Sequence, residues 1–151
     1  MGKNRAGTDA NDAAAERVKS ATNNNGSFTA GLVLIAEDDE PIAFALSLVV
    51  EDAGYAVTVA GDGRLALALA QEQHPALIIT DLMMPGMTGQ QFIAALRRNV
   101  QNRLPPIVVM SAADPDLAEE VDADAFLSKP FEIEQVERLL QQFLESTPAG
   151  C

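Results

Sequence analysis

The chain has 151 residues, 48% hydrophobic and 21% charged, with 5% aromatic residues and no Trp, a length and balance that suit one domain with a self-sufficient core. A single cysteine, Cys151, excludes a disulfide scaffold and a cysteine zinc site, and the lone His74 excludes any site that needs two imidazoles. The formal net charge of −12 is uneven: residues 1–27 carry +1 and the remaining 124 carry −13, which disfavours binding to nucleic acid or to an anionic membrane surface.

Residues 1–27 are rich in Ala, Asn, Gly, Thr and Ser and are expected to form a disordered polar tail. A domain is expected over 28–145, followed by a short tail, 146–151. No apolar run approaches the ~20 residues of a membrane span, and the N-terminus lacks a signal-peptide core. A soluble, cytoplasmic protein is the expectation.

From Gly31 onward, short apolar runs alternate with helix-period segments. Leu32–Ala36 reads as a buried strand, and Ile42, Leu46, Val49 and Val50 then recur at helical spacing. Pro41 opens that helix and Gly54 closes it. Residues 55–60 predict a second strand, and Asp62 caps a helix over 64–73 that buries Leu65 and Leu69. A third strand is expected at 76–80. Thr88-x-x-Gln91 is a capping box ahead of Phe92, Ile93 and Leu96. A fourth strand is expected at 106–110, and Asp114-Pro115 begins a helix with room for only about two turns. The fifth strand is 125–128. In the last helix Ile133, Val136, Leu140 and Phe143 face inward. Strands without period-2 alternation, separated by single helices, imply a doubly wound α/β domain with a five-stranded parallel sheet covered on both faces.

Ligands of such sheets bind at the carboxyl ends of the strands. Those ends carry Glu37-Asp38-Asp39, Asp81, Ser111 and Lys129-Pro130, and Lys129 is the only lysine after residue 27. Several carboxylates converging on one edge need compensation. Mg²⁺ supplies it: it takes oxygen ligands and shares its shell with phosphoryl oxygens.

These residues resemble the receiver domain of two-component response regulators over about residues 30–145. The similarity lies in Asp38-Asp39, in Asp81-Leu-Met-Met-Pro-Gly-Met-Thr-Gly89, in Ser111-Ala112, and in Phe126-Leu-Ser-Lys129-Pro130-Phe131. The resemblance implies a flavodoxin-like fold with strand order 2-1-3-4-5. It implies Asp81 as the phosphoacceptor, charged by a histidine kinase or histidine phosphotransfer protein. It further implies Asp39 as a direct Mg²⁺ ligand, Asp38 as one through water, and the backbone carbonyl of Met83 as another. Lys129 would pair with Asp81 and later with the phosphoryl oxygens, Ser111 would bond a phosphoryl oxygen, and Phe126 would be the aromatic switch. Lys129-Pro130 matches a bond that is cis in the family. The protein would then signal to an unknown downstream protein in trans, without enzyme activity beyond its own phosphotransfer and autodephosphorylation.

Plainer readings exist for each feature. Asp38 and Asp39 suit the cap of the first helix, Ser111 a loop hydrogen bond, and Phe126 the core. Gly61-Asp-Gly63-Arg-Leu-Ala66 fits a dinucleotide-binding G-x-G-x-x-A, but a pyrophosphate there would face three carboxylates. A pseudo-receiver acting only as an interaction module and an aspartyl phosphatase are the alternatives, the latter weakened by Met83 where such enzymes often carry a second Asp.

Two departures from the family stand out. Only 17 residues, 112–128, separate Ser111 from Lys129, and Asp122-Ala-Asp124 replaces the usual Gly-Ala, so the fourth helix is expected to be shortened and acidic. Neither Met83 nor Ala113 can orient an attacking water, so a long-lived phosphoryl state is expected.

Overall fold

The computed structural model describes residues 31–98, 104–112 and 121–145. The two expected tails and the expected short fourth helix lie outside the described residues.

Five strands form the sheet: β1 Leu32–Ala36, β2 Ala56–Ala60, β3 Leu77–Asp81, β4 Ile107–Ser111 and β5 Ala125–Ser128. Every neighbouring pair is parallel and the order is β2-β1-β3-β4-β5. The described helices are α1 Glu40–Asp52, α2 Gly63–Gln73, α3 Gly89–Arg98 and α4 Ile133–Leu140, the last continued by a π-helical turn, Gln141–Glu145. None is long and apolar enough to cross a membrane.

The strands are apolar at successive residues because both faces are covered. Leu34, Ala36, Ile78, Ile107 and Val109 pack under α2 and α3, with Phe92, Ile93 and Leu96 filling that layer. Val33, Ile35, Ile79, Val108 and Met110 pack under α1 and α4, against Leu46, Val50, Val136 and Leu140. Two expected core positions are corrected. Leu65 is 41% exposed and Ile133 is 55% exposed. The first helix turn of α2 seats on the sheet through Ala66, with Ala70 one turn on, and α4 reaches the core at Val136 and Leu140.

The helix starts carry the expected chemistry. Asp39 Oδ1 accepts from the Ile42 N–H at 3.2 Å, and Asp62 Oδ1 from the Leu65 N–H at 2.9 Å. Thr88 Oγ1 accepts from the Gln91 N–H while Gln91 Oε1 accepts from the Thr88 N–H. β2, β3 and β4 start one residue later than expected, and β3 and β4 also end one residue later. Asp81 and Ser111 are therefore the last residues of β3 and β4, where Asp81 registers with Met110 and Ser111 with Ser128.

Candidate functional site

The carboxyl edge of the sheet is where the chain turns polar. β1 ends at Ala36, and the next residue, Glu37, is held by its own backbone: its N–H donates to the Ala60 carbonyl at 2.9 Å. This fixes Glu37 as an extension of the strand tip, and its side chain points into the protein, 2% of the residue remaining exposed. Asp38 follows at the surface. Asp81 is buried at the tip of β3, and Lys129 leaves β5 with its N–H donating to the Ser111 carbonyl at 3.0 Å. The Lys129-Pro130 peptide is cis.

These placements bring four charged side chains together. Lys129 Nζ lies 2.8 Å from Glu37 Oε1 and donates to Asp81 Oδ2 at 3.1 Å. The other Glu37 oxygen accepts from the Asp39 N–H at 3.0 Å, and Asp81 Oδ1 accepts from the Met83 N–H at 3.3 Å. Carboxylate oxygens of Glu37, Asp38 and Asp81 all lie within 4.8 Å of one another. One ammonium thus faces three carboxylates.

Electrostatics follow from burial. Loss of water pushes the Glu37 carboxyl above its ordinary range, although Lys129 and the Asp39 N–H pull the other way. Burial pulls Lys129 down, but the bonds and charges of Glu37 and Asp81 more than offset it, and its ammonium is held above the ordinary lysine value. Lys129 is therefore a fixed positive charge.

A hard divalent cation suits this donor set. The carboxylates are oxygen donors in excess of the cation present, Asp38 is open to water, and Glu37 Oε1 is buried without an aligned hydrogen-bond donor. The Lys129 ammonium lies 2.8 Å from that oxygen as an ion pair.

The expected residues are only partly brought together. Asp38, Asp81 and Lys129 meet, and Met83 stands beside Asp81 with 68% of its surface exposed. Asp39, expected to hold a metal directly, is outside the carboxylate group: its Oδ1 caps α1, as the plainer reading of the pair had it. The reason is one of position. Asp39 is the residue before the first helical turn, where free N–H groups claim an acceptor. Glu37 takes the inner place instead. The signal for it was present, since a strand ending at Ala36 makes 37 and 38 the first two positions off its tip. Ser111 is buried at the end of β4, and Phe126 is half-buried against the layer beneath α2 and α3.

Comparison with known proteins agrees with this arrangement. Residues 33–141 match the model of the response regulator receiver domain. The transcriptional regulatory protein YkoG of Bacillus subtilis is 36% identical over 110 residues, 70% of this chain and 47% of that protein. Response regulator Rre1 of Synechocystis is 33% identical over 123 residues, 78% of this chain and 53% of that protein. The chain thus spans about half the length of these curated relatives. Among solved structures, the chemotaxis response regulator CheY4 of Vibrio cholerae superposes with a TM-score of 0.71 at 38% identity, covering 77% of this chain and all of that one. The flavodoxin-like fold, the acidic edge and these matches agree, and the chain belongs to the receiver domain family of response regulators.

Proposed function

We propose that residues 28–145 work as a phosphorylation-dependent signalling switch, with Asp81 as the acceptor. The observation that carries this is the pairing of Asp81 Oδ2 with Lys129 at 3.1 Å inside a group of three carboxylates. The donor is a phosphohistidine of a histidine kinase or phosphotransfer protein. An Asp81 oxygen attacks phosphorus in line, the P–N bond to the imidazole breaks, and an acyl phosphate forms. This self-catalysed transfer, and the later hydrolysis, are the chain's own chemistry; it is a signalling module otherwise.

Mg²⁺, when bound, supplies charge neutralisation for the phosphoryl oxygens. Asp38 and Asp81 would hold it together with the Met83 carbonyl, while Glu37 supports the group from the buried side. Glu37 thereby replaces Asp39 in the acidic pair. Lys129, already charged, orients Asp81 before transfer and bonds the phosphoryl group afterwards. Its compact charge on a flexible stem suits both partners. Ser111 then bonds a phosphoryl oxygen and Phe126 turns inward, so that one added dianion changes the surface read by a cytoplasmic partner in trans.

The test is acetyl phosphate or beryllofluoride with Mg²⁺, read by mobility shift and amide spectra. Wild-type protein should respond and Asp81→Asn should not. An unchanged wild type would make the chain a pseudo-receiver, and repeated turnover of a phosphate ester would make it a phosphatase.

A further inference from the structure

The glycine motif between β2 and α2 touches both halves of the site. At one end the Ala60 carbonyl accepts from the Glu37 N–H at 2.9 Å and so anchors the acidic turn. At the other end stands Gly63, buried, the first residue of α2. A Cβ placed on Gly63 would lie 2.5 Å from the Met87 carbonyl oxygen, 2.7 Å from Met87 Cβ and 2.9 Å from Met87 Cγ. The backbone of Met87 therefore rests on the bare Cα of Gly63. No positive φ requires glycine there: among the described residues the left-handed glycines are Gly54 and Gly86. Close approach is its use.

Met87 belongs to the loop that joins Asp81 to α3. The far end of that loop is equally tight, because a Cβ on Gly89 would lie 2.1 Å from the Asp81 carbonyl oxygen, and the Gly89 N–H donates to Leu82 at 2.9 Å. The loop is thus held between Asp81 on one side and the first turn of α2 on the other. Met83, which bonds Asp81 Oδ1, lies within it.

We infer that Gly63 is a positioning residue for the phosphoryl-transfer site: its missing side chain seats the Asp81–α3 loop through Met87 and so sets the geometry of Met83 and Asp81. This rests on the function proposed above. Gly63 touches neither Asp81 nor the carboxylates in the contacts described, and it acts through Met87 alone. Opening the contact from 2.5 Å to an ordinary 3.4 Å moves the loop by about 0.9 Å. Displacements near 1 Å at reacting groups cost on the order of 100-fold in rate.

The experiment is Gly63→Ala in the full chain. Alanine at this helical position improves helix propensity, so a role confined to α2 predicts equal or greater stability and unchanged chemistry. Our inference predicts a folded protein with phosphorylation by acetyl phosphate slowed about 10- to 100-fold and with weaker Mg²⁺ binding by calorimetry. Met87→Gly, which removes two of the three obstructing atoms, should restore part of both in the double variant. Should Gly63→Ala fail to fold, Mg²⁺ titration of wild type decides: amide signals of Gly63, Met83 and Met87 should shift together with one dissociation constant. A folded Gly63→Ala protein with wild-type Mg²⁺ affinity and rate would overturn the inference, as would Gly63 and Met87 signals that ignore the ion. A wild type that neither binds Mg²⁺ nor becomes phosphorylated would instead sink the receiver reading itself.

Discussion

Replacing Lys129 by methionine removes the only cation within the site's ion pairs while keeping an unbranched apolar stem. The ammonium lies 2.8 Å from Glu37 and 3.1 Å from Asp81. At an effective dielectric of about 20, each contact carries roughly 5–6 kcal/mol of gross Coulomb attraction. Most of that offsets the desolvation of the three groups, and breaking a buried pair costs about 3–5 kcal/mol. Lys129 keeps 15% of its side chain exposed, whereas the Glu37 side chain keeps none. The lower end applies, and Lys129→Met should lose about 3 kcal/mol in Mg²⁺-free buffer. The loss comes from three carboxylates left without a counter-charge. Mg²⁺ should therefore recover more stability in the variant than in wild type, because it binds the folded state of the more anionic cluster better. Urea unfolding followed by far-UV circular dichroism, with and without Mg²⁺, measures both quantities. A variant within about 0.5 kcal/mol of wild type without the ion, or an identical Mg²⁺ gain in the two proteins, would refute the reasoning.

Three further outcomes are expected. Met83→Asn should shorten the life of the acyl phosphate severalfold, since the exposed thioether at 83 has no donor to orient water and an amide has; release of phosphate from isolated phosphoprotein measures it, and loss within seconds from wild type would contradict it. Tyr55 donates to Glu145 Oε2 at 2.7 Å, and burial, then that bond and its charge, hold the phenol above its ordinary 10.0. A raised folded-state pKa means a contribution complete below about pH 10 and lost as pH rises beyond it; Tyr55→Phe should cost about 1 kcal/mol at neutral pH and flatten the alkaline fall in stability, and parallel slopes in the two proteins would count against it. His74 ends α2 at φ 51, a left-handed conformation that costs a side chain about 1–2 kcal/mol. His74→Gly should stabilise the protein by about 0.5–1 kcal/mol after the unfolded-state entropy of glycine is set against it, and an unchanged urea midpoint would contradict the strain.

Local chemistry made much of this protein legible from its residues. Continuous apolar runs such as Leu32–Ala36 require a sheet covered on both faces, and Pro41, Asp62 and the Thr88–Gln91 pair start helices wherever they stand, because free N–H groups at a helix start donate to the same acceptors in any fold and Pro has no N–H to leave free. Parallel order then carries Asp81 and Lys129 to one edge. Burial at single positions was not legible. Leu65 and Ile133 read as core by period but lie outside, because the depth at which α2 and α4 meet the sheet is set by their neighbours Ala66 and Val136. The acidic turn shows the same limit most clearly. Glu37, Asp38 and Asp39 are three adjacent carboxylates, of which the family resemblance singled out Asp38 and Asp39. The Ala60 carbonyl binds the Glu37 backbone and the first turn of α1 claims Asp39, so the inner place beside Lys129 is decided by one hydrogen bond to a strand distant in the chain and one from the adjacent helix start.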